Sequence, residues 1–167
     1  MSVREAEPGD SARLVKFFRT LYSETNFMLF EPDEFVVTEE QQARRIAEMS
    51  GSESGAMFVH ETGNELVGVV FGNRGVARRT RHSLYVVIGV VQAWTGQGIG
   101  RTLLEALEVW ARCSGLHRLE LTVDVSNRRA IALYEKCGFE REGIKRHSRN
   151  IEGSYSDELY MSKLIVV

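Results

Sequence analysis

The residues with the clearest chemical meaning lie in a glycine-rich turn, Thr95-Gly96-Gln97-Gly98-Ile99-Gly100-Arg101. Before it, Leu84 to Val91 is apolar and β-branched and reads as a buried strand. After it, Ile99, Leu103, Leu107 and Trp110 recur at helical spacing, Leu104 and Ala111 widen the stripe, and Gly115 supplies a stop. A strand, a glycine turn and a helix start, in that order, aim several backbone N–H groups into one concavity at the positive end of the helix macrodipole. Such a concavity can hold a pyrophosphate on main-chain donors, without a lysine.

Spacing separates the nucleotide-binding loops that glycines of this kind can form. A Walker loop ends in Gly-Lys-Ser/Thr, whereas Gly100 is followed by Arg101-Thr102-Leu103, so that reading fails. A dinucleotide fingerprint started at Gly96 or Gly98 would need its third glycine where Arg101 or Leu103 stands. Glu120 does follow at about the distance of a ribose-binding acid, and an NAD(P)-binding domain therefore stays as an alternative.

A second constellation follows the strand-like Leu119-Glu120-Leu121-Thr122-Val123. From Asn127 to Phe139 the sequence reads Asn-Arg-Arg-Ala-Ile-Ala-Leu-Tyr-Glu-Lys-Cys-Gly-Phe, a short helix with Asn127 as N-cap and Gly138 just past its end. Asn127, Ala130, Ile131 and Tyr134 share one face of it.

Together the two segments resemble the GNAT superfamily of N-acetyltransferases. Thr95 to Gly100 resembles the Q/R-x-x-G-x-G/A acetyl-CoA motif, with Thr95, Gly98 and Gly100 at its defined positions, and Asn127 to Phe139 matches the N-x-x-A-x-x-L-Y-x-K-x-G-F signature at the expected distance. The resemblance covers essentially the whole chain. Arg81-His82 and Gly153 to Asp157 with Met161 resemble the bacterial L-amino-acid N-acetyltransferase subgroup.

The resemblance implies an α/β (α+β) GNAT fold, with a mixed, mostly antiparallel twisted sheet of about seven strands, helices on both faces, and a splay between strands 4 and 5. It implies acetyl-CoA as cosubstrate, no metal, and direct attack by a primary amine. Backbone groups of Ile88 and Val90 would bond the pantetheine arm, a form of strand addition. Thr95, Gly96, Gln97, Gly98, Ile99, Gly100 and Arg101 would surround the pyrophosphate, with Asn127, Ala130 and Tyr134 beside the cofactor. Tyr134 stands where the family's general acid sits. A phenol of ordinary pKa about 10 can protonate a departing thiolate of pKa about 8.5 without itself ionising at neutral pH. The Val90 N–H would meet the oxyanion.

Two positions depart from the family pattern: Thr95 replaces a long Arg or Gln, and Gln92 a frequent proline. The base is not evident, because Leu84 to Val91 holds no Asp, Glu or His. Glu120 is either a base acting through water or a structural hydrogen-bonding group. His82 is a base or a turn residue, and His60 and His117 have weaker claims. Gly89 either permits a bulge and close approach or is a weak spot in its strand. Arg101, Arg128 and Arg129 are phosphate contacts or solvated helix charges.

The remaining sequence supplies the frame. Val3 to Ala6 reads as a strand, Pro8-Gly9 as a turn, and Asp10 as the N-cap of a helix burying Leu14, Phe18, Leu21 and Tyr22. Thr38-Glu39-Glu40-Gln41 has capping-box form and opens a helix carrying Ala43, Ile46 and Ala47. Ser23 to Val37 shows no clean period and reads as a loop or broken helix near a substrate. Ala56 to Glu61 and Glu65 to Gly72 form a hairpin through Thr62-Gly63-Asn64, and Phe139 to Arg146 pairs with Tyr155 to Leu164. The order is β α α β β β α β α β β.

With 167 residues, 43% hydrophobic and 26% charged, the chain reads as one domain spanning residues 1–167. A net charge of −2 argues against a nucleic-acid surface. No apolar run reaches the roughly 18 residues of a membrane span, and Met1 to Glu5 lacks a signal peptide's apolar region. The cytoplasm is the default location for such an enzyme, and a homodimer is one assembly open to it. Cys113 and Cys137 read as reduced core or near-core thiols. The expected acceptor is a free amino acid or other small amine, drawn to Tyr22, Phe27, Phe30 and Phe35 interleaved with Glu24, Glu31, Asp33 and Glu34. Arg74, Arg78, Arg79 and Arg81 either recognise its carboxylate or form a solvated turn. Acetylation of a protein N-terminus, as on ribosomal proteins, and a non-catalytic CoA-binding regulator are the alternatives.

Overall fold

The computed structural model describes residues 2–165. Met1, Val166 and Val167, which the expected domain and N-terminal reading include, lie outside the described residues. Seven strands and four α-helices follow the expected order: β1 Ser2–Glu5, α1 Ser11–Glu24, α2 Glu39–Met49, β2 Gly55–Thr62, β3 Glu65–Arg74, β4 Ser83–Val90, α3 Ile99–Cys113, β5 Arg118–Asp124, α4 Arg128–Lys136, β6 Glu140–Ile151 and β7 Ser154–Leu164. They form a single sheet in the order β1-β2-β3-β4-β5-β7-β6. All pairs are antiparallel except β4 with β5.

The parallel pair is short. β4 and β5 pair only at Ser83 with Arg118, Leu84 with Leu119 and Tyr85 with Glu120. Beyond that point β4 stays on β3 as far as Val90, while β5 stays on β7 as far as Asp124. The sheet therefore opens between the two strands, as the resemblance implied.

Alternation along the strands divides the core into two layers. Leu84 and Val86, with Leu119, Leu121 and Val123, pack against α3 and α4 through Leu103, Leu107, Ile131 and Tyr134. On the other face Met57, Val59, Val69 and Phe71 meet α1 and α2 through Leu14, Phe18, Leu21 and Ile46. Burying a side chain of this size contributes roughly 1.5–3 kcal/mol, so these two layers fix the sheet's position between its helices.

Several local expectations change in the structure. The Asp10 carboxylate makes no capping bond to α1. It accepts from the Glu7 N–H at 2.9 Å and from Arg4 at 2.7 and 2.8 Å, with Arg13 as a further donor. A charge 3% exposed is tolerated because two guanidiniums surround it. The capping box of α2 forms, with Gln41 N–H on Thr38 Oγ1 at 3.1 Å and Thr38 N–H on Gln41 Oε1 at 2.9 Å. The helix buries Gln42, Ile46 and Met49, however, and leaves Ala47 exposed. Trp110 is only half-buried, and β6 runs on to Ile151. Cys113 lies exposed at the end of α3 and Cys137 is half-buried; both are free thiols. Burial pushes the Cys137 thiol up from its ordinary value.

Candidate active site

The open side of β4 is set by a hydrogen-bond alternation. The Val91 N–H donates to the Val67 carbonyl at 3.0 Å. In an antiparallel pair the residues facing a neighbour in this way alternate with residues whose groups face the other side. Gly89 and Val87 thus face β3, while Val90, Ile88 and Val86 turn their N–H and C=O groups toward the opening. Ile88 and Val90, named from the sequence, are two of these residues and lie beyond the last β4–β5 pair.

β4 ends at a single 3-10 turn, Gln92–Trp94, followed by the glycine turn. Gly96 and Gly98 hold φ of +78° and +82°, where a Cβ would be strained. Gly98 is the N-cap of α3, so the N–H groups of Ile99, Gly100 and Arg101 have no acceptor within their own helix. No atom lies within 4 Å of where a Cβ would stand on Gly96 or Gly98. Left-handed glycines, orphan amides and open space together fit an anionic pyrophosphate.

Gly100 has a different neighbour. A Cβ there would come within 2.8 Å of Leu133 Cδ2, so this glycine lets α3 and α4 approach each other. Gly89 likewise serves packing. Its β3 register is unbroken, and a Cβ would meet Leu21 Cδ2 at 2.4 Å. The anticipated bulge is absent at Gly89, and the close approach comes from α1.

Thr95 donates its hydroxyl to the Gln92 carbonyl at 2.9 Å and accepts from Arg129 Nη1 at 2.6 Å. Arg129, on α4, thereby leans over the turn. Arg101 is drawn away into an ion pair with Glu105 at 2.7 Å, and Arg128 stays exposed. The Gln97 side chain donates to the Ala93 carbonyl at 3.5 Å. The Gln92 N–H, where many relatives would have proline, donates to Glu24 Oε2 at 2.8 Å. This bond ties the end of α1 to the end of β4.

The Asn127 side chain caps α4, accepting from the Ala130 N–H at 3.2 Å. The capped helix turns Ile131 and Tyr134 inward. Tyr134 is buried beside Phe139, its ring centroid 5.8 Å away. Burial pushes its phenol well above the usual tyrosine value, and the nearby phenol of Tyr85 pushes the same way. Tyr85 is the last β4 residue paired with β5. Tyr134 therefore stands close to the point where the strands part, and it is held protonated there.

Glu120 sits directly across from Tyr85. It accepts from Arg118 Nε at 2.6 Å, and the same guanidinium holds Glu142 at 2.8 and 2.5 Å. With a further hydrogen bond from Ser162, Arg118 holds the Glu142 carboxyl down at about 2. His82 and His117 lie exposed with ring centroids 6.4 Å apart, and the buried His60 leaves its Nδ1 without a partner.

Sequence reasoning missed a polar face beside the opening. Leu119, Leu121 and Val123 point into the α3 layer, which leaves Glu120, Thr122 and Asp124 on the other side of β5. Thr122 hydrogen-bonds the Tyr85 hydroxyl at 2.9 Å. Asp124 is 1% exposed and accepts from Ser126 and Ser156, with Arg149 at 3.8 Å. Burial alone would raise the Asp124 carboxyl, but these donors hold it below its ordinary value. Arg149 also donates to the carbonyls of Asn26, Phe27 and Met28 at 2.7, 3.3 and 2.7 Å. The loop after α1 is thus fastened across the opening to β6. The alternation of polar and apolar residues along β5 was the available signal.

The aromatic loop divides in two. Tyr22 and Phe35 are buried with Phe18, while Phe27 and Phe30 remain exposed. Of its acids, Glu24 holds Gln92 and Glu34 accepts from the Glu31 N–H. Arg78, Arg79 and Arg81 lie exposed in the turn before β4, at the end of that strand away from the glycine turn.

The model of the acetyltransferase (GNAT) family matches residues 16–139. The chain belongs to that family. This GNAT protein is 39% identical over 99 residues to N-alpha-acetyltransferase RimI of Mycobacterium tuberculosis, which is 57% of this chain and 61% of that one. It is 34% identical over 95 residues to L-amino acid N-acetyltransferase AaaT of Escherichia coli, 53% of this chain and 57% of that one. The chain thus spans less than two thirds of the length of these two relatives. A solved GNAT acetyltransferase from Streptococcus pneumoniae superposes with a TM-score of 0.95 at 32% identity, covering 99% of each chain. The protein yncA from Salmonella typhimurium, solved with its cofactor acetyl-CoA, shares the fold with a TM-score of 0.88 at 20% identity, covering 100% of this chain and 95% of that one. Among the described residues no cluster of three or more His, Cys, Asp or Glu is placed to hold a metal, and no helix is long and apolar enough to cross a membrane.

Proposed function

We propose that this GNAT protein transfers the acetyl group of acetyl-CoA to the primary amine of a free amino acid or another small amine, by direct attack. The reading rests chiefly on one observation: the unpaired inner side of β4 at Ile88 and Val90 leads straight to the glycine turn at the start of α3. Acetyl-CoA supplies an activated acyl group on a good leaving sulfur. Ile88 and Val90 bond its amide-bearing arm, and the amides of Gly98 to Arg101 with Arg129 take its pyrophosphate. Asn127 and Ala130 set the pitch of α4, and Tyr134 holds a proton for the departing sulfur. The Val90 N–H meets the negative charge that develops on the acetyl oxygen. Glu120, across from Tyr85 where the strands part, passes the amine's proton to water.

The polar face of Tyr85, Thr122 and Asp124, closed over by the Arg149-fastened loop, suits a compact polar acceptor. The similarity to AaaT, an L-amino acid N-acetyltransferase, favours the same class. The higher identity to RimI, an N-alpha-acetyltransferase, supports a second reading with a peptide N-terminus as acceptor. An exposed free thiol at Cys113 suits a reducing compartment such as the cytoplasm. A homodimer is the assembly we expect.

The test compares initial rates on L-leucine, L-leucinamide and a leucyl dipeptide at saturating acetyl-CoA. Preference for the free acid supports the reading. Better turnover of the dipeptide transfers it to protein N-termini, and tight acetyl-CoA binding with no turnover of any amine makes the protein a regulator.

A further inference from the structure

Six arginines among the described residues are half-buried: Arg4, Arg13, Arg45, Arg74, Arg118 and Arg149. Five of them are paired. Arg4 and Arg13 hold Asp10 and Glu61, Arg74 meets Glu53, Arg118 holds Glu120 and Glu142, and Arg149 faces Asp124. Arg45 is different. Its guanidinium carbon lies 4.5 Å from the centroid of the Phe71 ring, and no carboxylate among the described residues pairs with it.

A guanidinium carries five N–H donors in a fixed fork, and stacking on a ring satisfies none of them. Burial opposes its charge, and the phenol of Tyr22 lies near enough to act on it. A half-buried cation in this state is most stable with an anion that it can bind through two parallel hydrogen bonds.

The place of Arg45 says where that anion would come from. Phe71 is in register with Val87 on β4, so both side chains share the α1 and α2 face of the sheet. Neighbouring strands lie about 4.8 Å apart, which brings the Phe71 platform to within one strand spacing of β4. Tyr85 points to the same face and bonds Thr122 across the parting of the strands. The aromatic side chains of Tyr22 and Phe35, centroids 4.9 Å apart, belong to the same core layer as Phe71. Arg45 therefore borders the face from which an amine would approach the opening beside Ile88.

We infer that Arg45 binds the carboxylate of the acceptor, which makes a free amino acid the substrate class. This rests on the acetyltransferase reading above and assigns to α2 the anion-binding task that the sequence offered to Arg78, Arg79 and Arg81. A charge-assisted two-point contact is worth about 1.5–3 kcal/mol, or roughly a 10- to 150-fold change in binding.

The experiment measures kcat and KM for L-leucine and L-leucinamide with wild-type protein, Arg45→Met and Arg45→Lys. We expect Arg45→Met to raise KM for L-leucine at least tenfold and leave KM for the amide within about twofold, with the dissociation constant of acetyl-CoA unchanged. Arg45→Lys, which keeps the charge and loses the fork, should fall between. Equal losses on acid and amide, or an unaltered preference for the acid, overturn the assignment. If Arg45→Met does not fold, an Arg45→Lys protein with wild-type KM for L-leucine overturns it equally. Should the wild-type enzyme prefer the dipeptide, the amino-acid reading fails first; a preference for the acid that survives in Arg45→Met removes only Arg45.

Discussion

Arg129 on α4 donates a 2.6 Å hydrogen bond to the hydroxyl of Thr95, across the turn that joins β4 to α3. Thr95 stands where relatives of the resembled pattern carry a long Arg or Gln. A short residue leaves room for a guanidinium from the neighbouring helix, so the positive charge at this turn comes from α4. Arg129→Ala should raise the dissociation constant for acetyl-CoA about fivefold to tenfold by calorimetry, with kcat at saturation nearly unchanged. An unaltered dissociation constant removes Arg129 from the cofactor site.

The two glycines around α3's first turn should fail differently. Gly98 has open space around it and φ of +82°, so Gly98→Val strains the backbone by about 1–3 kcal/mol and fills the anion cradle. It should fold cooperatively and lose acetyl-CoA binding. Gly100→Val drives a side chain into Leu133 and should lose stability as well as binding. Melting curves with and without acetyl-CoA distinguish the two. A Gly98→Val protein with wild-type stabilisation by acetyl-CoA would place the pyrophosphate elsewhere.

Removal of one oxygen from Tyr134 tests the acid. Tyr134→Phe should lower kcat by roughly 10²-fold or more while acetyl-CoA binds as before. Because burial raises this phenol above its ordinary value of about 10, its protonated form persists through neutral and mildly alkaline pH. No fall in kcat assignable to Tyr134 is expected below about pH 10. A rate within twofold of wild type rejects the role.

Glu120→Gln should be milder, a loss of about threefold to tenfold, because Arg118 already occupies one side of that carboxylate. The comparison is made on kcat for the same amine. A loss as deep as that of Tyr134→Phe would make Glu120 the base.

Acid stability should follow Asp10. Its carboxyl, hydrogen-bonded by Arg4 first and by Glu7 and Arg13 besides, lies far below its ordinary value in the folded chain. A lowered folded pKa means a contribution that is complete above the unfolded value of about 3.9 and is lost as pH falls below it. Asp10→Asn should cost about 2–3 kcal/mol near pH 7, at or just below the roughly 3–5 kcal/mol of a fully buried broken pair, since both arginines keep some solvent. Denaturant titrations at pH 7 and pH 3 should show the gap between variant and wild type shrinking at the acid end. A constant gap assigns the effect to shape alone.

The sequence disclosed most where local chemistry determines local structure. Hydrophobic spacing located α3, the Asn127 cap located α4, and the Thr38 box located α2, because each depends on residues within one or two turns. It was less informative where a residue's partner lies far along the chain. Asp10 reads as a cap until Arg4 and Arg13 are seen to converge on it. Gly89 reads as a bulge until Leu21 arrives from α1. The link from Arg149 to Asn26 crosses 123 positions, and no periodicity announces it. Arg45 looks like any helix-surface charge, since an absent partner leaves no mark in a linear pattern.

The two outer borders of the sheet share a property. β1 is only four residues long, and β6 carries Arg141, Glu142, Lys145 and Arg146, breaks register between Arg141 and Gly143 and between Lys145 and Arg149, and holds His147 at φ +48°. Short, charged and buckled borders resist pairing with a neighbouring molecule's strand. The sheet is therefore poorly made to grow outward into aggregates, and the straight run of free main chain it offers lies within it. At high concentration such a protein should remain dispersed, its appetite for an extra strand directed to the one place where a small extended molecule can enter and a polypeptide sheet cannot.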